Sequence, residues 1–461
     1  MRTDLFVDGT WSAGSAGSFD VLDPSSAARI AAVARAGLDD LDRAITAAHT
    51  AQPLWAATAP RERSELLRRA FEGMIARRDE IAALIVREMG KSQADALAEV
   101  TYAAEFLRWF AEEAVRIDGE LRVAPSGANR ILTFRRPVGV ALLLTPWNFP
   151  AAMATRKIGP ALAAGCTVVL KPAEDTPLTA LLLAEIFANA GIPDGVVNVL
   201  TTDQPGELVT AALADPRVRK LSFTGSTQVG RVLLGQAAAH VVNCSMELGG
   251  NAPFLVLDDA DVDAAVAGAM LAKMRNYGQA CTAANRFIVD SSVVSEFTSK
   301  LVDAMASVPS APLVNSRAVD GVAGRVDSSG GRVLLGGKRE SGPGFHYPPT
   351  VVTDVPYDSV LAREEVFGPV ATILTVPDAD AAVALANSTE MGLVAYVYTQ
   401  DLGRGLRISE RLEAGMVGLN RGLVSDPAAP FGGVKESGLG REGGYEGIQE
   451  YLETMYVATS W

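Results

Sequence analysis

Histidine and cysteine are scarce: only His49, His240 and His346, and only Cys166, Cys244 and Cys281, occur in 461 residues. None of the histidines stands in a recognisable motif. Spacing therefore gives no support to a cysteine–histidine or serine–histidine pair, although separation along the chain does not exclude contact in space. The cysteines lack metal-ligand spacing, so no metal site is expected, and an odd, sparse set fits reduced thiols in a cytoplasm. No run approaches the roughly 18 apolar residues of a membrane span, and residues 1–9 contain no signal-peptide core, so a cytoplasmic protein is expected. Positive charge is also short, at 41 Lys and Arg against 54 Asp and Glu, giving a net charge of −13. Such a field argues against nucleic-acid and anionic-membrane partners. An anionic small ligand would have to be held by local cations or helix N-termini.

Core material is abundant, with 48% hydrophobic and 21% charged residues, and the length exceeds what one core organises. Two or three globular domains are expected. Residues 38–116 carry helical periodicity, with start signals at Asp39 and Asp40 and at Pro60, Arg61 and Glu62. From 137 to 247, apolar strand-like runs at 138–145, 167–170, 196–200, 220–223 and 241–246 alternate with helical stretches. That alternation predicts βαβ units and a parallel, doubly wound sheet. A second series at 254–257, 286–289, 370–376, 395–398 and 417–419, with helical stretches at 261–275 and 379–387, predicts a second α/β domain. Residues 309–349, rich in Gly, Ser and Pro, read as the least ordered part, and 451–461 as an extended terminal strand suited to pairing with another subunit.

Several segments carry chemistry. Cys281, in Gly278-Gln279-Ala280-Cys281-Thr282, reads equally as a nucleophile or as a small buried hydrophobe. An ordinary thiol is only a few per cent ionised at pH 7 and needs a base. With histidine so scarce, a carboxylate such as Glu247 in Glu247-Leu248-Gly249-Gly250 is the better candidate. Phe223-Thr224-Gly225-Ser226-Thr227 runs from strand through a glycine turn into a helix, an arrangement that aims backbone N–H groups at phosphate, or simply makes a tight capped turn. Lys171-Pro172-Ala173-Glu174 sits at the carboxyl end of a strand, where a carboxylate suits the ribose hydroxyls of NAD and would repel the 2′-phosphate of NADP. The alternative is a solvated Lys171–Glu174 pair. Thr145-Pro146-Trp147-Asn148-Phe149-Pro150 holds an asparagine between two prolines, as a fixed amide donor or as a turn residue. The literal G-x-G-x-x-G at 438–443 has no strand directly before it and is rejected as a dinucleotide fingerprint.

Taken together with Glu365-Val366-Phe367-Gly368-Pro369 and residues 430–438, these segments resemble the aldehyde dehydrogenase superfamily over nearly the whole chain. The resemblance implies the aldehyde dehydrogenase fold: an α/β architecture with a Rossmann-like NAD-binding domain from 1–117 and 138–249, and a second α/β catalytic domain from 250–436. A small β oligomerisation arm from 118–137 and 437–461 implies a homodimer or homotetramer. It further implies Cys281 as nucleophile, Glu247 as the base that activates water, and Asn148 with the Cys281 N–H as oxyanion hole. Lys157 and Glu442 match positions linked to proton relay. NAD, with NADP as the alternative, would be held by Thr145, Trp147, Lys171, Glu174, Gly225, Ser226, Glu365 and Phe367.

Arg156 and Arg275 lie close in sequence to Asn148 and Cys281, and a guanidinium fork suits a carboxylate at the far end of an aldehyde. Two structural ion pairs would explain them equally. Within the superfamily the segments are similar to succinate-semialdehyde dehydrogenases, whose carboxylate-binding positions match Arg156, Arg275 and Ser425. That resemblance implies oxidation of succinate semialdehyde to succinate, with glutarate semialdehyde or a neutral aldehyde as alternatives. A cofactor-free cysteine hydrolase would leave Glu174, Glu365 and the Gly225 turn without a role. The sequence departs from its relatives twice: Ala283 stands where some carry a second cysteine, which excludes a redox disulfide there, and the 307–312 region is short.

Overall fold

The computed structural model describes residues 1–461. Its first sheet has five parallel strands at its centre, in the spatial order Val197–Val199, Thr167–Lys171, Val140–Leu144, Val218–Thr224 and Asn243–Glu247. Strands Val140–Leu144 and Thr167–Lys171 are buried along their whole length, as the unbroken apolar runs of a sheet covered on both faces require. One face is covered by helices Pro60–Ala76, Arg78–Met89, Gln93–Glu113, Pro150–Ala164 and Pro177–Asn189, the other by Leu38–Ala57, Pro205–Ala214 and Thr227–Ala237. The chain works outward in one direction from Val140–Leu144, then returns to its other side at Val218–Thr224. This is a topological switch point, and a ligand crevice opens at the carboxyl ends of strands there.

A second sheet runs in the order Arg332–Leu335, Thr350–Thr353, Val370–Val376, Ala284–Asp290, Ala252–Val256, Val394–Tyr398 and Met416–Leu419, parallel except for its first strand. A third, three-stranded antiparallel sheet joins Leu452–Thr459 to Arg130–Pro137 and Glu120–Val123. It projects Leu121, Phe134 and Tyr456 into solvent.

Two sequence expectations are corrected. Residues 309–349, expected to be the least ordered part, contain helix Ser316–Asp327, which buries Val319, Val322 and Val326 on one face, and strand Arg332–Leu335. Gly and Ser content hid the three-and-four spacing of those valines. The strand expected from 241 begins instead at Asn243, because residues 238–240 form a tight turn and Val241 takes a left-handed φ of 52°.

Candidate active site

The crevice at the switch point is a cleft of about 720 Å³. Trp147, Asn148, Glu174, Gly225, Ser226, Cys281, Glu365 and Phe367 line it, drawn from both large sheets. Thr145 and Lys171 lie behind its wall at strand ends, joined by the Thr145 N–H donating to the Lys171 carbonyl at 3.2 Å. Glu247, Lys157, Glu442 and Arg156 are buried deeper, while Arg275 and Ser425 meet each other away from the cleft lining.

Cys281 follows a turn that only particular residues can make. Asn276 and Tyr277 take φ of 51° and 55°, and Gly278 takes 75°. A Cβ on Gly278 would stand 2.1 Å from the Gly368 carbonyl oxygen, so no side chain fits. Asn276 Nδ2 donates to the carbonyls of Asn148 and Gln279 at 2.9 and 2.8 Å. Cys281 as a residue is partly exposed to the cleft, yet desolvation around its sulfur pushes the thiol up to about 12. Arg156 and Arg275 oppose that rise; Glu365 and Glu247 add to it. The resting thiol is therefore protonated and must lose its proton before attack. Asn148 Nδ2 donates one hydrogen to the Gln279 carbonyl at 3.1 Å, which leaves its second hydrogen for another acceptor.

Glu247 ends strand Asn243–Glu247, and its Oε2 is buried without a partner. Burial, and after it the negative charge of Glu442, raises its pKa well above the ordinary carboxylate range, against Arg156 and Lys157. For Glu442, burial acts upward, but Lys157 and Arg156 outweigh it and hold the group below its ordinary value. The geometry agrees: Lys157 Nζ is 2.5 Å from Glu442 Oε1, and Arg156 Nε is 2.6 Å from Oε2, an ionic contact without an aligned hydrogen bond. The ionised form is thus favoured at Glu442, and Glu247 is the more basic carboxylate of the two.

Arg156 makes the structural ion pair that the sequence left open beside carboxylate binding. It is 1% exposed, its guanidinium faces Glu442, and it stacks 4.1 Å above the Phe431 ring centroid. Its charge is engaged because a buried, ionised Glu442 demands cations on both oxygens. Arg275 makes no ion pair. It lies 4.9 Å from the Phe149 centroid and 5.8 Å from that of Tyr102, with Nη1 3.5 Å from Ser425 Oγ. The Tyr102 hydroxyl beside it is buried without a partner.

Ser226 caps helix Thr227–Ala237 and lines the cleft beside Gly225. Lys171 Nζ is 3.3 Å from Glu174 Oε2, and the Glu174 side chain remains 46% exposed. Glu365 Oε1 accepts the Gly250 N–H at 3.2 Å. Burial pushes Glu365 up to about 7, with that N–H and Lys273 opposing. Phe367 sets its ring edge-on to Trp147 at 5.4 Å. A helix N-terminus, an exposed carboxylate at a strand end and an aromatic wall in one cleft fit a dinucleotide in chemistry and size.

The chain matches the Aldehyde dehydrogenase family over residues 11–457. It belongs to that family. Its activity is accordingly the NAD(P)-dependent oxidation of an aldehyde, which leaves no place for a cofactor-free hydrolase. This aldehyde dehydrogenase is 51% identical to a succinate-semialdehyde dehydrogenase of Paenarthrobacter nicotinovorans, over 93% of this chain and 98% of the relative. It is 45% identical to a glutarate-semialdehyde dehydrogenase of Pseudomonas aeruginosa, over 99% and 97%. The crystal structure of an NADP-dependent enzyme of E. coli superposes with a TM-score of 0.98 at 44% identity, over 100% of this chain and 98% of that one.

Residues the sequence reading missed also converge here. Asn276 was legible as an asparagine before a left-handed glycine turn, a conformation asparagine tolerates. Asn315 Nδ2 donates to Asp175 at 3.2 and 3.3 Å on the cleft wall, and burial pushes Asp175 up to about 6. Nothing in the spacing of 175 and 315 announces that contact.

Proposed function

We propose that this aldehyde dehydrogenase oxidises succinate semialdehyde to succinate with NAD as its preferred cofactor. The observation that carries the substrate is Arg275, a cation facing no carboxylate, with Ser425 at 3.5 Å and close enough to Cys281 to influence its thiol. A terminal carboxylate would complete the pair with charge-assisted hydrogen bonds. Arg156, paired with Glu442, adds positive field rather than a free fork.

In this reading Cys281 attacks the aldehyde carbon as thiolate. The free Asn148 Nδ2 hydrogen and the Cys281 N–H hold the oxyanion. Bound NAD supplies the hydride acceptor. Gly225 and Ser226 hold the pyrophosphate, Lys171 and Glu174 the adenosine ribose, and Glu365 the nicotinamide ribose, with Thr145, Trp147 and Phe367 forming the wall. The acyl group then rests on Cys281 as a thioester. Glu247 takes a proton from water as that water attacks, and Lys157 and Glu442 exchange protons with it. Glu174 supports NAD over NADP because its exposed carboxylate would meet a 2′-phosphate as like charge. The exposed apolar side chains of the three-stranded arm support a homodimer or homotetramer built through it.

Initial rates for succinate semialdehyde, glutarate semialdehyde and butanal, each with NAD and NADP, test the reading. The expected order of kcat/KM places succinate semialdehyde with NAD first. A butanal value equal to or above it overturns the substrate, and a higher value with NADP overturns the cofactor.

A further inference from the structure

Lys91 and Glu99 are buried charges that no step above uses, with side chains 1% and 0% exposed. Lys91 stands directly after Gly90, whose left-handed φ of 81° ends helix Arg78–Met89 and turns the lysine inward. Its ammonium is paired to Glu99 Oε2, donates to the Asn148 carbonyl at 2.8 Å and lies 4.1 Å from the Phe149 ring centroid. The other oxygen of Glu99 accepts the N–H groups of Ala151 and Ala152 at 2.9 and 3.3 Å, in the first turn of helix Pro150–Ala164. One ion pair therefore grips the chain on both sides of Phe149 and Pro150. The same Asn148 carbonyl takes a second donor, Asn276 Nδ2, from the turn that presents Cys281. Two donors occupy both lone pairs of that oxygen, which fixes the peptide plane from which the Asn148 side chain springs.

Burying two charges costs several kcal/mol per ion before pairing, and an apolar pair of similar volume would pack as well. A fixed backbone is what the ion pair adds. Donors to a developing oxyanion act only within a few tenths of an ångström of the right place. We propose that Lys91 and Glu99 are positioning residues that hold the Asn148 amide against the Cys281 turn, an inference that rests on Asn148 being the oxyanion donor. Neither residue touches substrate or cofactor; both act through Asn148.

A double-mutant cycle tests this on the intact enzyme. Replacing both members, Lys91→Met with Glu99→Gln, removes the pair without leaving an isolated buried charge. The readout is the single-turnover rate of NADH formation, with KM for NAD and semialdehyde measured alongside. Asn148→Ala is expected to slow that rate by about a hundredfold or more. The Lys91→Met/Glu99→Gln enzyme is expected to slow by about tenfold with both KM values within about twofold of the parent. Added to Asn148→Ala, the same two substitutions should change the rate by less than about twofold. An equal loss in both backgrounds overturns the positioning role while leaving Asn148 as donor. No loss from Asn148→Ala overturns the oxyanion reading itself. Should the double replacement fail to fold, Glu99→Gln alone enters the same cycle, with a smaller loss that must likewise vanish in the Asn148→Ala background.

Discussion

Lys157 holds Glu442 through a 2.5 Å contact from Nζ to Oε1, and this pair supplies around Glu247 the charge control that a histidine supplies elsewhere. Glu442 raises the pKa of Glu247 by repulsion, whereas Lys157 and Arg156 lower it. Glu442→Gln removes the repulsion and leaves both cations facing Glu247. The ionised base is then favoured, so the acidic limb of the kcat profile should move to lower pH. Profiles from pH 5 to 9 check the sign, and an upward shift contradicts the assignment of Glu247 as the titrating base.

Glu247→Gln keeps the shape of the side chain and removes its basicity. Hydride transfer precedes thioester hydrolysis, so the variant should give a burst of about one NADH per active site followed by turnover slowed by about a hundredfold or more. Stopped-flow absorbance separates the two phases. Steady turnover at the parent rate contradicts the role.

The two arginines should separate cleanly. Arg275→Ala should raise KM for succinate semialdehyde by about tenfold to a hundredfold, the worth of a charge-assisted contact, and change KM for butanal by no more than about threefold. Arg156→Ala removes one of the two cations on Glu442 and its stacking on Phe431. Its expected signature is a lower Tm and similar KM changes for both aldehydes. Kinetics with the paired substrates decide it, and the reverse pattern returns the free anion site to Arg156.

Much of the fold was legible because it rests on local pattern. The fully buried strands at Val140–Leu144 and Thr167–Lys171 announce a parallel sheet, and chain order fixes which strand ends meet at the crevice. The places of Glu174, Asn148 and Cys281 on the cleft were legible because a proline or glycine two or three residues away stiffens or tightens the turn, and Gly225 is itself such a glycine. What escaped was set by packing between distant segments. Arg156 faces Glu442 only because helix Pro150–Ala164 and the 431–442 turn close on each other. Helix Ser316–Asp327 was obscured by Gly321 and Gly324 within it, and the grip of Lys91 on Asn148 spans 57 residues.

The state of the Cys281 thiol can be measured directly. Desolvation pushes it up to about 12, beyond what Arg156 and Arg275 restore, so little thiolate exists in the free enzyme near neutrality. Alkylation consumes thiolate, and its rate must follow the ionised fraction. Inactivation by iodoacetamide in the absence of substrate should therefore rise about tenfold per pH unit from 7 to 10 with no plateau. Arg275→Ala removes a cation that favours the thiolate and should slow inactivation across that range. The rate of activity loss at each pH checks both statements. A plateau below pH 9 would show that the thiol ionises near its ordinary value and that desolvation does not raise it.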